Sequence, residues 1–284
     1  MSGPVSSTTS ATLLAVVFVR DGVVPSGGDE VVAECSGRVV LCGTGTQQAT
    51  GGLNANAVYT LELSTTGLRP AELVHALLSV EPVATAVRNA SVLVLPGSPD
   101  GRDVAPRLAH ALGRPLLAGA IQVNEHTAWV ARAGGQEIHE VAIEHSSGHG
   151  FVATLVPGTR GVAPADASTS QAVGAHATAS GPTSGAVTDC DVIEVLGPDV
   201  TTMDLTEAPR ILGGGAGLDS SERFDVLTEI ATALGASVGA TRVVTDRGWL
   251  PHQRQIGTTG CVINPELYLA FGISGAVQHT AGLG

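Results

Sequence analysis

Two stretches near the end of the sequence have the composition of loops that grip a ligand: QIGTTG (255–260) and GISGAVQH (272–279). Both follow apolar runs, and glycine there lets the backbone come close to a bound group. The first adds two hydroxyls, Thr258 and Thr259, able to reach heteroatoms of a bound ring; the second ends in His279. A third stretch, Gly213-Gly214-Gly215-Ala216-Gly217, lies between a strand pattern and a helix pattern. Freed backbone N–H groups and the helix dipole can hold an anion at such a turn. One glycine-rich turn is as often only a tight turn; two in a small region point to a dinucleotide with its pyrophosphate.

The remaining polar groups have ordinary readings beside functional ones. Arg242 falls in or at the end of a Val-rich strand pattern around Val238–Val244, where a surface arginine is commonplace. His279 reads equally well as a satisfied structural histidine. No Ser/His/Asp or Cys/His arrangement and no paired carboxylates indicate hydrolysis. Cys35, Cys42, Cys190 and Cys261 show no CxxC spacing, and the nine histidines show no ligand spacing. The expectation is therefore no metal site, and reduced thiols in a cytoplasmic protein.

The elements that must position these groups are legible as an α/β pattern. Val/Leu-rich runs at Leu13–Val19, Arg38–Cys42, Val58–Leu63, Ser91–Leu95, Pro115–Val123 and Phe151–Val156 read as strands, with Thr127–Ala133 and Ile138–Ile143 as a hairpin broken at Gly134-Gly135. Helical periodicity covers Pro70–Val80 and Val104–Leu112, the latter stopped by Gly113. Continuous apolar strands with helices between them predict a mostly parallel sheet covered on both faces. From 158 to 208 Gly, Ser, Pro and Ala dominate without period, which reads as a flexible segment and linker. A helix then follows, with Asp219 as cap, Glu222 completing a capping box, and Phe224, Leu227, Ile230, Ala231 and Leu234 on its buried face. The predicted organisation is 1–157 as an N-terminal α/β domain, 158–208 as linker, and 209–284 as a C-terminal domain.

Charge and hydropathy exclude some functions. The formal net charge is −12, and every basic side chain is arginine, so nothing here neutralises a row of phosphates and no nucleic-acid partner is expected. Apolar runs such as Ala11–Val19 fall far short of the ~20 residues that a membrane span needs, so no membrane insertion is expected.

In order and spacing, GATRVVTDRGWLP (239–251), QIGTTG (255–260) and PELYLAFGISGAVQH (265–279) closely resemble the FAD domain of the electron-transfer flavoprotein alpha subunit. That family shows G-A-S-R, D-x-G, Q-V-G-Q-T-G, P-x-L-Y and G-I-S-G-A-I-Q-H. The stretch VLVLPGSPDGRDVAPRLAHALGRPLLAGAIQV (92–123) is similar to its strand leading into a G-x-x-x-x-P-R-x-A helix. The resemblance implies a Rossmann-like C-terminal α/β domain holding FAD noncovalently. It also implies that Thr241 stands at the family's Ser, with Arg242 beside the isoalloxazine. Ile256, Gly257, Thr258 and Thr259 would form the V-G-Q-T loop, Thr259 reaching flavin N5. Ser274, Gly275, Ala276, Val277, Gln278 and His279 would form the second loop, with His279 near the pyrimidine oxygen. Arg242, Thr259 and His279 would then tune the flavin, Arg242 and His279 stabilising the charge that reduction places on its N1–C2=O edge.

By the same resemblance the protein is an electron carrier with no turnover of its own. It would pair with a beta subunit, take electrons from flavin dehydrogenases and pass them to a quinone oxidoreductase. Three departures bear on this. Ala216 stands at the family's Arg in the G-G-R-G-L turn, Thr258 replaces a Gln, and the sequence stops before the stretch in which the family has an Asn and an Asp on the adenosine side. The domain is therefore expected to be incomplete, with an exposed sheet edge and apolar surface. The Arg-only composition would suit an actinobacterial subtype such as the mycofactocin-associated one. The alternative is a non-redox partner subunit with degenerate FAD or adenine-nucleotide binding. An NAD enzyme is disfavoured because no acidic residue follows the Gly213–Gly217 turn at the distance ribose binding wants.

Overall fold

In a computed structural model of the protein, two parallel-dominated sheets are built one after the other. The residues described are 12–63, 67–133, 136–143, 150–162, 173–178, 187–196 and 199–283. The first sheet uses β1 (Leu13–Val19), β2 (Arg38–Gly43), β3 (Ala57–Glu62), β4 (Val92–Pro96), β5 (Leu116–Val123), β6 (Thr127–Arg132), β7 (Glu137–Ala142), β8 (Phe151–Leu155) and β9 (Val173–Thr178). Their spatial order is β7-β6-β5-β8-β4-β1-β2-β3-β9. Only β6 runs against its neighbours, pairing antiparallel with both β5 and β7.

Alternation along each strand divides the core between the two faces. On β1, Ala15, Val17 and Val19 face one cluster with Val31, Val32 and Cys35, which are supplied by α1 (Gly28–Glu34) and the residue just after it. Leu14 and Val16 face the opposite cluster, built on α3 (Pro70–Ser79), α4 (Val83–Asn89) and α5 (Pro99–Leu112), which follow the short α2 (Thr46–Ala49). Apolar side chains on both faces of one strand are what a doubly covered parallel sheet requires. Helix α5 ends at Gly113 in a left-handed conformation (φ 64°), as its sequence predicts.

The second sheet has three parallel strands in the order β11-β10-β12: β10 (Arg210–Gly214), β11 (Ser237–Ala240) and β12 (Leu267–Phe271). Helix α6 (Ser221–Ala233) covers one face through Phe224, Leu227 and Ala231, packed on Leu212, Val238 and Ala240. The other face buries Leu205, Ala208, Ile211, Ile256 and Ile263. Strand β12 is an edge, and its Leu267, Leu269 and Phe271 are exposed. Short helices α7 (Arg242–Asp246) and α8 (Val277–Thr280) complete the unit.

Several local expectations need correction. Strand β11 stops at Ala240, so Arg242 opens α7 rather than ending a strand. The N-cap position of α6 is Ser220, which makes no side-chain cap bond, and not Asp219; Asp219 takes the left-handed conformation (φ 67°) that closes the preceding 3-10 turn. Ile230 and Leu234 are exposed, because α6 buries a narrower stripe than its apolar residues allow. Within the expected linker, β9 pairs in parallel with β3, while Leu205 and Ala208 belong to the second core. The Gly134-Gly135 break and, within the expected linker, 163–172, 179–186 and 197–198 lie outside the described residues; the β6–β7 pair itself is antiparallel as expected.

Chain distant in sequence also caps α3. Arg69 at its N-cap makes no side-chain cap bond; instead Asp189 Oδ2 accepts from the amides of Ala71 (2.8 Å) and Glu72 (2.9 Å). Desolvation pushes the Asp189 carboxyl up, but amide hydrogen bonds from Glu72, Cys190 and Ala71 outweigh it and hold it below the ordinary carboxylate value. A depressed folded value means stability that is fully present above the unfolded value and lost as pH falls through the folded one. Asp189→Ala should therefore cost about 1 kcal/mol in urea unfolding at neutral pH. That difference from the wild type should shrink below pH ~4, near the unfolded carboxyl.

Candidate functional site

The glycine turns meet at the carboxyl ends of β10 and β12. The amide of Gly215 donates to Phe271 O (2.8 Å) and that of Gly217 to Gly272 O (3.0 Å). A Cβ on Gly215 would lie 2.3 Å from Gly272 O, and one on Gly217 2.9 Å from Gly272 Cα. These glycines thus let two backbones touch. The amides of Gly215 and Gly217 are engaged within the chain, so these two are not the freed N–H groups that the turn was expected to offer an anion.

The loop after α7 is tied to the same place. Ile256, buried, donates its amide to Ala240 O at the end of β11 (2.9 Å), and Thr258 donates to Gln278 O (2.9 Å). Gly257 has φ 137°, and a Cβ there would meet Gln278 O at 2.5 Å, so only glycine lets the QIGTTG and GISGAVQH loops pack together. Buried Gln255 lies between Thr245 Oγ1 and Thr259 Oγ1, at 2.8 Å from each.

The loops enclose a cavity of about 590 Å³, within the size range of small-molecule sites. Of the residues singled out by sequence, Thr241, Arg242, Ile256, Gly257, Thr258 and Thr259 line it from one side. Ser274, Ala276, Gln278 and His279 line it from the other. Gly275 and Val277 do not; Gly275 makes a left-handed turn (φ 78°), and Val277 points to solvent, 74% exposed. The Gly215–Gly217 turn marked in the sequence lines it too, together with Gly272, and Gln255, Ile273 and Val243, not singled out individually, complete the lining. Gln255 was visible in the motif itself, but nothing in one sequence marks its side chain as buried.

The electrostatics are simple. Arg242 and His279 are the only ionisable residues among the described lining residues, and no carboxylate lines the cavity. The Arg242 side chain is 67% exposed, its Nε 3.3 Å from Asp246 Oδ2 one helical turn on. His279 is buried, its Nε2 2.7 Å from the Tyr268 hydroxyl and its Nδ1 3.2 Å from Ile256 O. Burial holds the imidazole below the ordinary histidine value, against the opposite pull of the Ile256 carbonyl.

A larger cleft of about 790 Å³ lies at the carboxyl ends of β1 and β4, lined by Asp29, Asp100, Glu207 and Glu266 together with Arg20. Arg20 is already paired with Asp100 (2.6 Å), so that cleft opposes a phosphate-bearing ligand, whereas the smaller cavity does not. Among the described residues no His/Cys/Asp/Glu group could hold a metal ion. No helix there is long and apolar enough to cross a membrane.

Residues 204–284 match the family described as the electron transfer flavoprotein FAD-binding domain. Similar relatives include the electron transfer flavoprotein subunit alpha of Mycobacterium leprae, 35% identical over 196 residues, which are 68% of this chain and 58% of that protein. The subunit alpha of Syntrophomonas wolfei is 35% identical over 192 residues, 65% of this chain and 57% of that protein. That of Paracoccus denitrificans is 52% identical over 80 residues, 28% of this chain and 26% of that protein. The chain thus spans less than two thirds of the length of these relatives. Residues 204–284, which hold the three-stranded sheet and the loop-lined cavity, carry the family's FAD-binding domain, and the chain belongs to the electron transfer flavoprotein alpha subunit family.

Proposed function

We propose that the chain is an electron carrier, the alpha subunit of a heterodimeric electron transfer flavoprotein that binds FAD in the cavity between its two C-terminal loops. The observation that carries this reading is the convergence of Arg242, Thr258, Thr259 and Gln278 on one cavity without a carboxylate. FAD supplies the redox chemistry when bound. The chain's part is to bind and orient it. The glycine contacts hold the two loops at a fixed separation, Thr258 and Thr259 offer hydroxyls to ring heteroatoms, and Arg242 offers positive charge where reduction builds negative charge.

The division of labour follows: the N-terminal α/β domain as scaffold, residues 209–284 as cofactor domain. Electrons would come from flavin dehydrogenases and leave to a quinone oxidoreductase, with a beta subunit as the permanent partner. A cytoplasmic location belongs to the same reading, in keeping with four free thiols. The second reading, a non-redox partner subunit, is favoured by Ala216, which brings no charge to the cavity where the family has Arg, and by the engaged amides of its turn.

An absorption spectrum separates the two. The protein, alone and co-expressed with a beta-type subunit, should take up added FAD, more tightly with the partner, and bleach stepwise with dithionite. A colourless complex that takes up no FAD would establish the partner-subunit reading. Arg242→Ala should lower the one-electron potential of the bound flavin by on the order of 50 mV, about a tenfold change, since a charged contact is lost from an exposed side chain. Potentiometry that finds no change would remove Arg242 from that role. Gly257→Ala should weaken FAD binding at least ~10-fold, as a Cβ forces the loops apart, while leaving the circular dichroism of the helices intact; unchanged FAD titration would show that the loops need not touch.

A further inference from the structure

Buried Gln255 carries its amide between two hydroxyls, and a hydroxyl can meet either end of an amide. Oε1 faces Thr245 Oγ1 and Nε2 faces Thr259 Oγ1, at 2.8 Å from each. Thr245 and Gln255 are each only 4% exposed. Thr245 stands on α7 outside the cavity lining, its hydroxyl also 2.9 Å from Arg242 O. Thr259, by contrast, is exposed and lines the cavity. Together they form one run of hydrogen bonds from the interior of α7 to the ligand side of the loop.

Counting protons leaves that run two directions. With Oε1 toward Thr245, the Thr245 hydroxyl donates to Oε1 and Nε2 donates to Thr259. The Thr259 proton is then left for the cavity, where water or a ligand accepts it. A half-turn of the amide exchanges Oε1 and Nε2 at the same two positions. Nε2 then donates to Thr245, Thr245 donates to Arg242 O, and Thr259 donates to Oε1, so Thr259 turns a lone pair to the cavity. Both directions pair each end of the buried amide and use every hydroxyl proton, which keeps them close in free energy. The backbone stays where it is, since the Gln255 amide donates to His252 O (3.0 Å) and Gln255 O accepts from Cys261 (2.7 Å) in either case. Thr245 makes the exchange possible: a valine of the same shape would leave whichever end of the amide faced it without a partner.

We infer that Thr245 is a positioning residue that, through Gln255, lets the Thr259 hydroxyl face the cavity either as a donor or as an acceptor. Such a site suits a ligand atom that exchanges those roles itself, as a ring nitrogen does when reduction brings it a proton. As a statement about flavin chemistry this rests on the function proposed above; as a statement about the amide it does not.

The test uses the full chain without added flavin, with ¹⁵N in the glutamine side chains, ¹³C in the threonine methyls, and Gln255→Met to identify the Gln255 amide. Its Nε2 protons should show nuclear Overhauser contacts to the methyls of both Thr245 and Thr259. Thr245→Val should speed exchange of those protons with solvent about tenfold, through loss of one buried hydrogen bond, and Thr245→Ser should restore the wild-type rate. Contacts to one methyl alone would overturn the two-way run. A folded Thr245→Val protein with unchanged exchange would overturn the role of Thr245. Once FAD is taken up, as its absorption reports, dithionite should move the contacts from the Thr259 methyl to that of Thr245, and the same contact in both states would overturn the inference as well. A chain that takes up no FAD fails the function proposed above, while the flavin-free spectra still decide how the amide is held.

Discussion

The contact on which the C-terminal unit depends is the approach of two backbones at the ends of β10 and β12. Gly215 and Gly217 bond to the carbonyls of Phe271 and Gly272, at separations where a single Cβ would intrude to between 2 and 3 Å. This clasp sets where GISGAVQH leaves the sheet. It also brings Gln278 O within reach of the Thr258 amide, so the second loop is seated on the first. Glycine-rich runs at strand ends are commonly read as phosphate cradles; here most of the run serves backbone packing, and the cavity lies beside it.

The electrostatic character of the cavity follows from that packing. The chain carries a formal charge of −12, yet the described residues around this cavity include no carboxylate, while the larger cleft near β1 and β4 collects four. Two cavities of similar size in one chain therefore favour ligands of opposite charge. Arg242 stands at the first turn of α7, where it extends toward solvent. Its charge is consequently screened more than that of a buried arginine, so what it contributes to an anionic ligand is moderate.

The N-terminal sheet and the smaller sheet differ in how completely they are covered. In the former, the central strands are buried on both faces by helices. In the latter, α6 covers β10 and β11, while β12 leaves Leu267, Leu269 and Phe271 exposed at an edge that no strand among the described residues pairs. An exposed apolar edge strand is a feature proteins ordinarily shield.

The sequence by itself determined the α/β class and most strand positions. Residues 13–19, 38–42 and 151–155 can hardly be anything but doubly covered strands, because continuous Val/Leu runs of that length have no solvent-facing alternation. The two loops were legible for a related reason, since glycines, threonines and a histidine packed so closely have few uses. Tertiary structure decided what these groups can do. No local pattern states that Ser220 rather than Asp219 takes the N-cap position of α6, that Asp189 caps a helix over 100 residues away, or that β9 joins β3. Nor does spacing reveal that the Gln255 amide lies between the hydroxyls of Thr245 and Thr259. Propensity and periodicity act over a turn or a strand, whereas hydrogen-bond partners and close approaches are fixed only when distant segments share one core.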